Sequence, residues 1–131
     1  MAQKLRIVGS WLLQALLGVG FVTIGVAKFA DPAWVRNFER WGYPPGFHLV
    51  TGVLEIAGAL ALFVPRTASY GAIALSLVMV AASVTHASAG QPWTRPLPHL
   101  TLLMVLALLR WRDRWRPSPA PPAERISPAR S

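Results

Sequence analysis

Four long apolar stretches occupy most of this chain, and the charged residues lie almost entirely between or beyond them. The stretches cover approximately residues 7–28, 46–64, 67–87 and 97–111 of 131. A helix needs about 20 apolar residues to cross a bilayer. The first and third stretches reach that length, the second nearly does and the last is short. Only 14% of the residues are charged, against about 25% in a typical soluble domain, and too little polar chain remains to shield four such segments from water. The sequence therefore predicts an all-α integral membrane protein, in which residues 1–111 form an antiparallel four-helix bundle.

The chain contains no cysteine, and this limits the chemistry that it can carry out alone. Disulfides, thiolate metal sites, iron–sulfur clusters held by cysteine and dithiol redox reactions are excluded within it. Any redox role must therefore use a partner subunit or a bound organic cofactor, and we expect no covalent cofactor.

The net charge of +8 is distributed as in membrane proteins rather than as in nucleic-acid-binding proteins. The basic residues flank the apolar stretches without a nucleic-acid-binding motif, so we expect no nucleic-acid partner. If both termini lie on one side, that side holds nine of the thirteen Lys and Arg residues, namely Lys4, Arg6, Arg66 and six arginines from Arg110 onward, and the other side holds four. The positive-inside rule then predicts that both termini lie in the cytoplasm.

The C-terminal segment differs from the rest of the chain in composition. It alternates Pro, Ala, Ser and Arg and shows no apolar periodicity. We expect residues 112–131 to form a disordered, basic, Pro/Arg-rich cytoplasmic tail close to lipid headgroups.

A short amphipathic helix is predicted between the first two spans. Asp31 is a suitable N-cap, Pro32 suits the first helical position and Gly42 suits the position after the helix. Aromatic residues then share one face of this helix, with spacings of four and three: Trp34, Phe38 and Trp41. Such a helix is typical of a membrane interface. It would serve either as an interfacial anchor or as a lid over a pocket that opens outward.

Small and weakly polar residues form a stripe along each of the first three spans. At helical spacing, the first stripe contains Ser10, Gln14, Gly18, Gly25 and Lys28, with Phe21 among them; the second contains His48, Thr51, Gly52, Glu55 and Ala59; the third contains Ser69, Ala72, Ser76, Met79, Ser83 and His86. Helices in lipid present such faces to one another, so the stripes predict the packing surfaces of the bundle.

Ionisable residues are concentrated in the outer half of the predicted bundle. Glu55 lies about 13 Å below the outer end of its span, because nine residues of helix rise ~1.5 Å each. Side chains lean toward the N-terminus of their own helix, so Glu55 leans outward and Lys28 leans inward, and the two would approach if their helices are neighbours. An ionisable group at membrane depth is expensive and usually functional.

Several roles are open for this cluster. It would bind the polar head of a lipophilic ligand such as a quinone, belong to a proton or solute path, or only fix helix register through a Lys28–Glu55 pair. A metal bound by Glu55, His48, His86 and His99 is disfavoured, because no pair of these histidines has metal-ligand spacing. We favour a ligand pocket and predict its binding residues as Lys28, Glu55, His86, His48 and Thr51, with no metal site and no catalytic residue that the sequence identifies.

The order of these features resembles the DoxX and DoxX-like family of small bacterial membrane proteins. The resemblance extends over residues 5–110 and is carried by Gly18, Gly25-Val26-Ala27-Lys28-Phe29, Trp41-Gly42-Tyr43-Pro44, Gly52-Val53-Leu54-Glu55-Ile56-Ala57-Gly58-Ala59, Pro65, Gly71-Ala72 and Thr85-His86. It implies a four-helix membrane bundle in the bacterial inner membrane. Members of the family are linked to quinone-dependent oxidoreductases, including a thiosulfate:quinone oxidoreductase, and to redox-stress complexes. The positions that correspond are Lys28, Glu55 and His86.

These observations lead to a functional prediction with two alternatives. The prediction is a quinone-associated membrane subunit of an oxidoreductase or redox-stress complex, rather than a stand-alone enzyme. Its expected partners are the lipid bilayer, a quinone or other lipophilic ligand, oxidoreductase subunits and further copies of the chain. The alternatives are a structural or anchoring subunit without catalysis, and a small-molecule transporter.

Overall fold

Helices account for most of residues 1–115, the part of the chain that the computed structural model describes. Within this range there are five α-helices and no strand, which confirms the all-α class. The helices are α1 (Ala2–Ala30), α2 (Pro32–Arg40), α3 (Phe47–Phe63), α4 (Ala68–Ser88) and α5 (Leu97–Arg114).

Two helices extend beyond the apolar stretches that predicted them. Helix α1 begins at Ala2 rather than at residue 7, because Gln, Lys, Leu and Arg in its first turns are good helix formers. Helix α5 ends at Arg114, so the first residues of the predicted tail are helical instead. The remainder of that tail, from residue 116, lies outside the described residues.

The short helix α2 is stabilised by the caps that the sequence predicts. The Asp31 carboxylate accepts a hydrogen bond from the Ala33 backbone N–H at 2.9 Å, and Pro32 occupies the first helical position. After the helix, Gly42 adopts a φ of +83°, which a residue with a Cβ rarely tolerates. The prediction of a short helix at this position is therefore confirmed.

The four long helices pack with alternating direction around one apolar core. Helix α1 packs on α3, α3 on α4, α4 on α5, and α5 returns to α1. The α1–α5 pair is antiparallel, because Arg6 contacts Asp113 near one end and Phe21 contacts His99 toward the other. The fully apolar core residues are Leu17, Phe21, Ala59, Leu62, Ala72, Leu75, Met79, Leu103 and Leu106.

The polar stripes of α1, α3 and α4 face this interior, as predicted. Gln14, Glu55 and Ser69 are 1%, 2% and 0% exposed. The other buried polar residues are Ser10, Lys28, His48 and Ser76. The stripe on α4 is less completely covered at its C-terminal end, where Ser83 and His86 are only half-buried.

Large apolar side chains, in contrast, cover the outer surface of all four long helices. Leu16 on α1, Val53 on α3, Leu77 on α4 and Leu108 on α5 are each more than half exposed. This is the reverse of a soluble protein, in which exposed apolar patches of this extent are rare. The outside of the molecule is therefore suited to lipid or to other apolar partners.

Two helices, α1 and α4, are long and apolar enough to cross a membrane. Helix α3 is apolar but only 17 residues long. Helix α5 carries Arg110, Arg112, Asp113 and Arg114 within its 18 residues, which lowers its apolar character. Four membrane spans consequently remain a prediction.

Glycines allow α1 and α3 to approach closely. A Cβ added at Gly25 would lie 2.6 Å from the Ile56 side chain and 2.9 Å from the Gly52 carbonyl oxygen. Gly20 lies on the same helix, and a Cβ there would meet nothing within 4 Å. A substitution at Gly25 therefore changes both the contact between α1 and α3 and the helix propensity of α1, whereas the same substitution at Gly20 changes only the helix propensity.

We expect Gly25→Ala to lower the free energy of unfolding by about 1–3 kcal/mol, because the added methyl group forces α1 and α3 apart. The matched variant Gly20→Ala should be neutral or stabilising by up to ~1 kcal/mol, since alanine favours helix over glycine. Thermal unfolding in a mild detergent, followed by circular dichroism, measures both. Equal behaviour of the two variants would contradict the close packing of these helices.

Candidate functional site

A cavity of about 620 Å³ lies at the end of the molecule where α2 sits, which we call the α2 end. Its walls come from all five helices, together with the segments that follow α2 and precede α5. The lining is mainly apolar, with few polar groups among it. This size and composition lie within the usual range of small-molecule sites, about 300–1,000 Å³.

Lys28 and Glu55 form a buried salt bridge in the wall of this cavity. The Lys28 ammonium group donates a hydrogen bond directly to Glu55 Oε2, and the two residues are only 5% and 2% exposed. The ammonium group also lies 4.6 Å from the centre of the Trp34 ring, which adds a cation–π contact. The approach that the sequence suggested for this pair is therefore observed.

The close packing of α1 and α3 holds this pair together. A Cβ at Gly52 would lie 3.2 Å from the Lys28 Cβ and 3.0 Å from the Gly25 carbonyl oxygen. The glycines thus bring the two backbones near enough for the charged groups to meet. Two opposite charges within an apolar surrounding stabilise each other, whereas either one alone would be costly.

The other predicted ligand residues occupy different places. Thr51 lines the cavity, but its hydroxyl group donates to the His48 carbonyl oxygen at 2.9 Å. His86 is half-buried in the opposite wall, and its Nδ1 lies 2.7 Å from Gln91 Oε1. His48 is buried against Phe38, at 6.1 Å between ring centres, and is not part of the cavity wall. The structure therefore places four of the predicted residues in the wall of one cavity, namely Lys28, Glu55, Thr51 and His86. His48 lies outside that wall.

Aromatic side chains from α2 form one side of the cavity. Trp34, Phe38 and Trp41 all line it, with Phe38 buried at the centre of the group. The Phe38 ring lies 5.3 Å from both the Trp41 and Tyr43 rings. This position is compatible with α2 acting as a lid over the cavity and with α2 acting as an anchor in the membrane interface. Both roles stay predictions.

Trp41 carries a polar group that has no partner within residues 1–115. Its indole nitrogen, Nε1, is buried and makes no hydrogen bond. Leaving such a donor unsatisfied costs about 1–3 kcal/mol, and Trp41 lines the cavity. A bound molecule with an acceptor oxygen is one means of satisfying it.

Sequence reasoning missed a second polar contact in the wall. The hydroxyl groups of Tyr43 and Thr85 lie 2.5 Å apart and connect the turn after α2 to α4. Both residues occur in the segments that carry the family resemblance, and Thr85 immediately precedes His86. Their partnership spans 42 positions in the chain and has no periodic signal, so only the fold reveals it.

No group of three metal-binding side chains occurs within the described residues. His86 and His99 both line the cavity, whereas His48 packs against Phe38 outside the wall. The edge of the His99 ring also packs on Phe21, at 6.0 Å between ring centres. What this site offers chemically is a salt bridge, several hydroxyl and ring N–H groups, and an apolar volume.

Comparison with known proteins gives two findings. A profile of the DoxX-like family matches residues 12–109, which is most of the chain and confirms the resemblance carried by its motifs. The uncharacterized protein YdgD of Bacillus subtilis (strain 168) is 35% identical over 79 residues, which cover 57% of this chain and 69% of YdgD. No solved structure matches. The family match and the two helices able to cross a bilayer together indicate a membrane protein.

We expect Lys28→Met or Glu55→Leu alone to lower the free energy of unfolding by about 3–5 kcal/mol, because each leaves one buried charge without its partner. The double variant should lose clearly less than the sum of the two. Unfolding in detergent, followed by circular dichroism, gives the coupling energy, with the exposed Lys4→Met as a control. Strictly additive losses would show that the two groups do not interact.

Proposed function

Because this chain belongs to the DoxX-like family, we propose that it is a four-span protein of the bacterial inner membrane whose cavity binds the polar head of a quinone or a similar lipophilic ligand. In this role it serves as a membrane subunit of an oxidoreductase or of a redox-stress complex. The observation that carries the proposal is the cavity at the α2 end, which combines an apolar volume with the Lys28–Glu55 pair and a free indole N–H.

The distribution of side chains supports the membrane part of the proposal. Polar groups such as Gln14 and Ser69 are buried, while Leu16 and Leu77 are exposed. In water this arrangement would be unfavourable, whereas in lipid it turns the apolar side chains toward the acyl chains and the polar side chains toward neighbouring helices. Helix α3 has 17 residues, which is within the range of about 17–25 for a crossing helix. Helix α5 begins at Leu97 and carries its charges at the other end, where they would reach the headgroups.

The chemistry of the cavity supports a quinone-like ligand. A quinone has two carbonyl oxygens that accept hydrogen bonds and a ring that stacks on aromatic side chains. The cavity wall holds an indole N–H from Trp41, the Lys28 ammonium group and the Tyr43 hydroxyl, beside the rings of Trp34 and Phe38. Donors at polar positions within an apolar lining are the features that fix the orientation of such a ligand.

The proposed role as a subunit follows from electron balance. Reduction of a quinone to a quinol consumes two electrons and two protons. The chain has no cysteine to hold an iron–sulfur cluster or to form a dithiol. A partner subunit would therefore supply the electrons, while Glu55 and His86 lie where they would exchange protons with the ligand.

An anchoring role without a ligand is the second candidate, and one observation favours it. Lys28 and Glu55 already satisfy each other, so the pair needs no ligand to be stable. In that case substitutions in the cavity would change stability and assembly but no binding constant. A transporter is less favoured, because four helices leave little room for alternating access without further copies of the chain.

We expect Trp41→Phe to weaken binding of a short-chain benzoquinone by about fivefold, which corresponds to the loss of one neutral hydrogen bond worth ~1 kcal/mol. The substitution keeps the aromatic ring and removes only the N–H donor. Trp93→Phe is the matched control, because Trp93 is 53% exposed and does not line the cavity. Equilibrium binding to the purified protein measures both, and unchanged affinity in Trp41→Phe would count against the site.

The absence of native cysteine makes the predicted topology directly testable. Single cysteines at Thr94, before α5, and at Lys4, near the start of α1, are both exposed in the structure. With the termini in the cytoplasm, a membrane-impermeant maleimide should label Thr94→Cys in intact spheroplasts and Lys4→Cys only after lysis. Labelling of both positions before lysis, or the reverse order, would contradict the orientation.

A further inference from the structure

A second pocket lies at the opposite end of the molecule, where α1 begins and α5 ends. Its volume is about 380 Å³. The pocket is lined by Pro65, Arg66, Arg110, Asp113 and Arg114. Arg66 comes from the turn between α3 and α4, while Arg110 and Arg114 are one turn apart on α5. We call this feature the arginine pocket.

Within the described residues, positive charge exceeds negative charge around the arginine pocket. Three guanidinium groups line it together with one carboxylate, that of Asp113. That carboxylate forms a salt bridge with Arg6, which lies outside the wall, at 3.2 Å, and a longer ion pair with Arg110 Nη1 at 4.0 Å, so one carboxylate serves two arginines. Like charges at positions i and i+4 of a helix repel each other, so Arg110 and Arg114 are close without a full counter-charge.

Arg110 is held in place and still has a free donor. Its side chain is 11% exposed, its Nε donates to Gln14 Oε1 at 2.8 Å, and its guanidinium group lies 5.0 Å from the Trp11 ring centre. The Nη2 atom is buried and has no hydrogen-bond partner within residues 1–115. A preorganised guanidinium group with an unused N–H pair is suited to an oxyanion.

Arg114 is oriented by its neighbours in the same way. Its guanidinium group lies 4.5 Å from the Tyr70 ring centre and donates a hydrogen bond to the Arg66 carbonyl oxygen. This contact joins the end of α5 to the turn between α3 and α4. Each of the two arginines is therefore oriented by contacts within the chain before any ligand arrives.

We infer that Arg66, Arg110 and Arg114 bind a phosphate group. Arginine recognises phosphate through planar, charge-assisted hydrogen bonds, and three such residues line this one pocket. Trp111 and Trp115 are exposed on the same end of α5, and indole rings prefer the headgroup level of a bilayer. The phosphate of an anionic phospholipid headgroup is thus one source and free phosphate is the other. The lipid source rests on the proposed membrane location, whereas the site itself does not.

Lipid binding to the full-length protein in a neutral detergent tests this inference. Native mass spectrometry measures the retention of phosphatidylglycerol and of diacylglycerol, which lacks the phosphate group, with and without sodium phosphate as competitor. We expect preferential retention of phosphatidylglycerol. Arg66→Gln and Arg114→Gln should each weaken it by about tenfold, as expected for the loss of a charge-assisted hydrogen bond.

Arg112→Gln is the matched control, because Arg112 is exposed on the same helix and does not line the pocket. It removes the same charge and should leave binding unchanged. Circular dichroism of each variant checks that the fold is retained. If free phosphate binds and phosphatidylglycerol does not, the site exists and its ligand is a soluble phosphate.

Two results would overturn the inference. Equal weakening by Arg66→Gln, Arg114→Gln and Arg112→Gln would show attraction by overall charge rather than by a pocket. Equal retention of both lipids, together with no effect of sodium phosphate, would show that no phosphate site exists.

Discussion

The contact between Lys28 and Glu55 is the constraint on which the arrangement of the first two long helices depends. Each group is nearly inaccessible, and each would be unfavourable in an apolar surrounding without the other. The pair is possible only because Gly25 and Gly52 let the backbones of α1 and α3 approach. Once α1 and α3 are fixed in this register, the cavity at the α2 end acquires a buried ion pair in its wall.

The two ends of the molecule have opposite electrostatic character. At the α2 end the buried charges cancel, and the aromatic rings of α2 close over an apolar volume. At the other end Arg66, Arg110 and Arg114 surround a single carboxylate that is already engaged. In the proposed membrane location this separation of charge favours one orientation, and we propose a different kind of ligand for each end. The first end suits a neutral molecule with acceptor oxygens, and the second suits an anion.

Much of the fold follows from the sequence because lipid imposes a simple rule on side chains. Polar residues at helical spacing must face one another, so the stripe through Gln14 predicts the interior face of α1 before any coordinates exist. The salt bridge follows from two helices that are consecutive in the predicted bundle. Helical periodicity places His48 on the face of Glu55 but does not reveal that His48 packs against Phe38 outside the cavity wall. The Gln14–Arg110 bond joins residues 96 positions apart, and periodicity carries no such information.

The most direct test of this account is a distance between Lys28 and Glu55 in a bilayer. Solid-state NMR of the protein in lipid, with ¹⁵N-labelled lysine and ¹³C-labelled glutamate, detects magnetisation transfer between the Lys28 Nζ and the Glu55 carboxyl carbon when the two atoms are close. The account predicts a cross-peak between these two atoms that disappears in Glu55→Gln. A Glu55 carboxyl signal that correlates with lipid acyl protons instead, with no transfer to Lys28, would contradict it.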